Sequence, residues 1–242
     1  MSDDRLDRAR TGLAPRALMA ATMLAVSLAA VGAAAEPPPI GEVTQEEYKG
    51  ALGRLPDRED KLIHQVAVFS QERVTTPLWG QTALGFHDGT SLQVGPGSEV
   101  TLDEFVYDPN QSLTKAVINF NHGLFRFVTG ETTHKEGVTL NTPVATLSIR
   151  GTDLIIQVDL DGTTTVSVLK GAIAAKSCDR PQETTVQAGF SLVVKGNCSE
   201  KEKTVPYTPT YGGLFGITTE DGRPNGPGGD REHSSGGGNS IR

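Results

Sequence analysis

Between Leu62 and Lys203 apolar and polar residues alternate with a period of two, interrupted by glycine-bearing turns and enriched in threonine and valine. A strand points successive side chains to opposite faces, so this pattern specifies half-buried sheet and is incompatible with the 3.6-residue period of an amphipathic helix. It also restricts the turns, because each hairpin must return its apolar residues to the face they left. Around His87-Asp88-Gly89 the apolar residues Leu84, Phe86, Leu92 and Val94 are all even-numbered. A two-residue turn would split them between faces. A three-residue turn, with Gly89 in the left-handed region as a G1 bulge, pairs Leu84 with Leu92 and keeps them together.

The same rule applied to Leu160-Asp161-Gly162 pairs Ile156 with Val166 and Leu154 with Val168. Applied to Gln187-Ala188-Gly189, it pairs Val186 with Phe190 and Thr184 with Leu192. Extending that third ladder sets Cys178 directly opposite Cys198, at a separation a disulfide can bridge. Pro181 lies within the extended part and has to sit at an edge or bulge. A fourth turn at Asn121-His122-Gly123 places Arg126 on the face of Phe120, Leu124 and Val128. Either that face is partly solvated or Arg126 has an acidic partner, because an unpaired buried guanidinium would be very costly; the expected partner is a carboxylate such as Asp103 or Asp153. Gly151 reads as a bend or bulge within a strand.

Outside this region the pattern changes. Residues 36–61 are a proline-rich lead-in, in which Thr44-Gln45-Glu46-Glu47 has capping-box spacing and predicts a short helix to about Arg54, stopped by Pro56. Residues 204–242 are rich in glycine, proline and small polar residues; ten of the 28 glycines lie between Gly212 and Gly238. Such a segment buries too little surface to offset its ordering entropy and is expected to be disordered, with Tyr207, Tyr211, Leu214 and Phe215 as the residues able to dock back on the domain.

Ahead of the lead-in, Arg5, Arg8, Arg10 and Arg16 precede an apolar run from Ala17 to Ala35 that ends Ala33-Ala34-Ala35. Basic residues, an apolar stretch and small residues at −3 and −1 make residues 1–35 a signal peptide cleaved after Ala35. An uncleaved anchor is the alternative, because the run approaches the roughly 20 residues that span a bilayer. A cleaved chain keeps no stable membrane span and is periplasmic or secreted. That compartment permits a Cys178–Cys198 disulfide, the other reading being two unrelated thiols. The leader carries four arginines and three aspartates, so removing it takes the net charge from −7 to −8. That sign disfavours nucleic acid and anionic lipid as partners.

No catalytic constellation emerges. Ser98, in Gly95-Pro96-Gly97-Ser98, reads as a turn residue, and neither a nucleophile elbow nor a phosphate-cradling glycine loop is present in the sequence. His64, His87, His122, His134 and His233 are dispersed, although His87 and His122 would meet if their turns stacked. Asp159 with Asp161, and the run after Asp108, lack the full ligand set of a calcium loop. Asp103 and Glu104 are adjacent and point to opposite faces of a strand. No cofactor, metal or catalytic residue is expected; Gly89, Gly123, Gly151, Gly162 and Gly189 are structural turn positions.

The run DGTSLQVGPGSEVTLDEFVYDP (Asp88 to Pro109), followed by GLFRFVTGE (Gly123 to Glu131) and TPVATLSIRGTD (Thr142 to Asp153), closely resembles the FecR domain family of periplasmic regulators. The resemblance covers roughly Glu72 to Lys195. It implies an all-β, solenoid-like or sandwich stack of short strands and hairpins. Full regulators of this type carry a cytoplasmic anti-sigma segment before a membrane span; here 16 residues precede the apolar run, too few for a folded domain. The sequence therefore suggests a stand-alone exported FecR-like domain over 62–203, non-enzymatic, binding or signalling toward an envelope protein or a saccharide. The alternative is a structural or surface-assembly protein that associates through strand edges.

Overall fold

A computed structural model describes residues 37–108, 113–130, 137–178, 180–209 and 214–215. The leader and most of the glycine-rich tail, with Tyr211, His134 and His233, lie outside the described residues. Fifteen strands and no helix occur among those described: β1 (Gly41–Val43), β2 (Leu52–Arg54), β3 (Glu59–Lys61), β4 (Ala67–Val68), β5 (Glu72–Thr75), β6 (Thr82–Phe86), β7 (Ser91–Val94), β8 (Glu99–Tyr107), β9 (Leu113–Val128), β10 (Val138–Thr142), β11 (Ala145–Val158), β12 (Thr164–Ser177), β13 (Glu183–Gln187), β14 (Phe190–Val194) and β15 (Lys203–Pro206).

The strands are not uniformly short: β9 has 16 residues, and β11 and β12 have 14 each. Each of these three bends midway and continues in a second layer. One layer runs β3-β2-β5-β8-β9-β10-β11-β12-β13, and the other β4-β1-β6-β7-β9-β11-β12-β14-β15. The architecture is an open, folded-over sandwich and not a solenoid.

The bend is built from aligned glycines. Gly151 on β11 (φ 63°), Gly171 on β12 (φ 81°) and Gly189 between β13 and β14 (φ 86°) occupy neighbouring strands at one level. Ladder pairing jumps from Arg150↔Ala172 to Asp153↔Lys170 around this point. An inserted residue reverses the parity of the inward positions, which is what a strand needs when it turns a corner and still faces the same interior. Ala145, Leu147 and Ile149 are buried before the bulge on β11; Leu154, Ile156 and Val158 are buried after it. On β12 the set changes from Val166 and Val168 to Ile173 and Ala175. The layers close on one another through Phe86 stacked on Phe105 at 4.9 Å, Phe120 edge-on to Phe125 at 4.7 Å, and Thr142 Oγ1 beside Thr164 Oγ1 at 3.2 Å. Each fully buried Phe or Leu in that interior contributes roughly 1.5–3 kcal/mol of transfer free energy.

At the first two turns β6 and β7 pair Leu84 with Leu92, and β11 and β12 pair Leu154 with Val168 and Ile156 with Val166. Three expectations are corrected. Residues 44–54 form no helix: the amide and hydroxyl of Thr44 both donate to the Ala83 carbonyl, at 2.8 and 3.2 Å, and β2 is paired on both sides by β3 and β5. Sheet partners satisfy the donors that a costly isolated helical turn would have had to satisfy alone. Gln187-Ala188-Gly189 does not reverse the chain either. β13 and β14 run in line along β12, with the Ala188 amide donating to Gly171 O and the Gly189 amide to Val168 O. Finally, Asn121-His122-Gly123 is no chain-reversing turn, because β9 continues through it. Its inward positions switch there from Phe120 to Phe125 and Phe127, turning Arg126 outward.

Candidate functional site

Strand register lines up one row across the outer face of the second layer: Ala83, Gln93, Arg126, Ile155, Ser167, Ser191 and Val205 on β6, β7, β9, β11, β12, β14 and β15. The outer face of an antiparallel sheet is ordinarily solvated. Here Ile155 is only 3% exposed, Ser167 and Ser191 are buried, and their hydroxyls hydrogen-bond each other at 2.8 Å.

Arg126 stands at the centre of the row. Its Nε donates to Asp153 Oδ1 at 3.0 Å and its Nη2 to Oδ2 at 2.8 Å, a fork-on-carboxylate pair whose side chains are 21% and 17% exposed. The remaining Nη1 donates to the Phe215 carbonyl at 3.3 Å. Asp103 is not a partner; it sits on β8 in the first layer and accepts from Asn119 Nδ2.

Of the described residues after β15, Tyr207, Leu214 and Phe215 lie on this same face. The Tyr207 amide donates to Gly189 O, and its phenol pKa is raised, first by burial, with Arg126 opposing and Asp153 adding to the shift. Leu214 and Phe215, the latter 8% exposed, line a small cavity of about 80 Å³ with Gln45, Gln93, Val94 and Thr82.

The cysteines lie elsewhere. Cys178, just after β12, and Cys198, just after β14, are joined with Cα atoms 5.8 Å apart, and the Cys178 amide donates to Val144 O. One follows the end of a strand in each layer, so the bridge ties the layers at the end away from the glycine bend. A cleft of about 460 Å³ beside it contains Lys176 and Arg180, which are already paired with Glu183 and Glu202. Burial works to raise the Glu202 pKa. Hydrogen bonds from its own backbone, Thr184 and Arg180 outweigh burial and hold it low.

The remaining sequence candidates have local roles. Ser98 Oγ accepts the Leu124 amide at 3.0 Å, in the space a side chain at Gly123 would need. Asp161 caps the Thr163 amide, Asp159 accepts from Gln157, and Glu104 pairs with Lys115. His87 bonds the Pro39 carbonyl and meets the edge of Tyr107. Among the described residues no three His, Cys, Asp or Glu side chains converge as metal ligands.

Sequence reasoning passed over Glu72, a carboxylate at an inward position of β5. It accepts the Phe69 amide at 2.8 Å and fills space above Gly53; burial raises its pKa. Its parity with Val74 is the only signal of inwardness, and that signal ordinarily marks apolar residues.

Together the bent double layer and its covered outer face define a β-sandwich module that presents a surface. Residues 72–174 match the family model described as FecR protein, so that stretch, from β5 into β12, is a FecR domain. No curated protein matches the chain. Two crystal structures of a candidate anti-sigma factor from Parabacteroides distasonis ATCC 8503 are similar in part, each with a TM-score of 0.45 and 12% identity, over 55% of this chain. The chain spans about 59% of the length of those solved structures.

Proposed function

We propose that this protein is an exported, non-enzymatic FecR-like module that binds an envelope protein as part of signalling. The observation that carries the reading is the FecR match over 72–174. The leader pattern at residues 1–35 and a cysteine pair suited to an oxidising compartment support export. The acidic candidates serve in turns and ion pairs, which supports binding over hydrolysis. A saccharide remains the second ligand class.

Assembly through strand edges has less support. Edge strand β3 reads Glu-Asp-Lys, and edge strand β15 carries Lys203 and Pro206, residue types that discourage edge-to-edge pairing.

The test is in vivo cross-linking of the tagged full chain, with N-terminal mass spectrometry of the same material. A mature start at Glu36 and a discrete adduct with one envelope protein are expected. A cytosolic chain that retains its leader, or only self-adducts, would overturn the proposal.

A further inference from the structure

We infer that the outer face of the second layer is a docking surface for an extended, aromatic-bearing peptide segment, and that this protein's own Leu214–Phe215 stretch occupies it in cis. A partner segment of the same chemistry would displace that resident. The inference deepens the binding role proposed above by naming where the partner docks.

Four observations carry it. The face is built for cover, since Ile155, Ser167 and Ser191 are buried on the side of a sheet that normally meets water. Arg126 is prepositioned by its fork on Asp153, leaving Nη1 directed to a backbone carbonyl, that of Phe215. A main-chain carbonyl is an acceptor that any extended peptide supplies. The resident also fits imperfectly. A cavity of about 80 Å³ persists between Leu214–Phe215 and the sheet, and among the described residues Gln93 Oε1 and Tyr207 Oη are buried without hydrogen-bond partners. Buried polar atoms left unpaired weaken a contact, so a segment offering donors there competes on favourable terms. Finally, Leu214 and Phe215 fall outside the FecR-matched residues 72–174, whereas Arg126 and Asp153 fall inside them. The matched stretch thus provides Gln93, Arg126, Ile155 and Ser167 of the surface, and residues outside it provide the cover.

The probe is a fluorescein-labelled peptide of residues 207–219, titrated by anisotropy against the full chain and against the full chain carrying Leu214→Ser and Phe215→Ser. The double variant should bind at least about tenfold more tightly than the native chain, because its face is no longer held in cis. Adding Arg126→Gln should remove most of that gain. Equal binding to both chains, or none to a double variant with native circular dichroism, would overturn the inference. A second measurement needs no variant: excess unlabelled peptide should accelerate chymotryptic cleavage after Phe215 in the native chain severalfold, and an unchanged rate counts against displacement. Failure of both would remove the docking face while leaving the cross-linking test of the envelope role intact.

Discussion

Replacing the three aligned glycines one at a time by alanine should produce unequal losses of stability, and the inequality follows from the bend. Gly151 and Gly189 have positive φ, but a Cβ built on either meets nothing within 4 Å. Each substitution therefore carries only the left-handed backbone penalty, about 1–2 kcal/mol. Gly171 carries the same penalty, and its Cβ would also lie 2.6 Å from the Gly151 carbonyl oxygen and 3.1 Å from Thr152 Cγ2. A backbone oxygen cannot rotate away like the end of a flexible side chain. Either the strands part at the corner or the bulge re-forms, adding about 1–3 kcal/mol, as overpacking does. Gly171→Ala should thus cost about 2–5 kcal/mol, a large part of a typical domain's 5–15 kcal/mol. Urea denaturation followed by far-ultraviolet circular dichroism reads the three midpoints, provided the m-values agree. If all three variants fall within about 0.5 kcal/mol of one another, β11 and β12 do not cross at a corner and the folded-over arrangement is wrong.

Three further predictions follow from the same geometry. Cys178→Ala with Cys198→Ala opens a loop with a sequence separation of 20 and should destabilise by about 3 kcal/mol; a melting temperature unaffected by reductant would contradict the tie between layers. Arg126→Met leaves the Asp153 carboxylate in a largely covered site and should cost roughly 1–3 kcal/mol by denaturant titration, with Arg126→Met/Asp153→Leu recovering part of it; a neutral single variant would mean the pair is solvated. Glu72 binds its proton more readily in the folded than in the unfolded chain, so its contribution is fully present below the unfolded value of 4.5 and is lost as pH rises through the raised folded value. Glu72→Gln should therefore exceed the native protein in stability near neutral pH, with the gap closing toward low pH, and a gap independent of pH would refute the assignment.

How far the fold can be read from the chain is decided by which features are local. The turns at Gly89 and Gly162 are legible because apolar residues of one parity flank each, and only a three-residue turn returns both arms to the same face. At Ala188-Gly189 that rule is blind. Val186, Leu192 and Val194 share a face whether the chain reverses or runs straight, and what decides is Gly171 on the neighbouring strand. The cysteines meet all the same, but across the mouth of the sandwich and not along the ladder that suggested their pairing. Arg126 pairs with Asp153, but on the outward face, not on the Phe120 face where a turn at Asn121-His122-Gly123 would set it. The change of inward parity from Phe120 to Phe125 was the available sign that β9 bends instead of turning back. Thr44 shows the opposite failure. Its capping spacing is a genuine local signal, overridden because β6 offers the Ala83 carbonyl to both its donors.

Nuclear Overhauser contacts in the isotopically labelled chain test the bent double layer most directly. Contacts joining Arg150 to Ala172 and Asp153 to Lys170 with a skip between them, Ile173 to Val186 and Val166 to Leu192 are predicted, along with ring contacts between Phe120 and Phe125. An unbroken register through Gly151, with Thr184 facing Leu192 in a hairpin, would contradict the account.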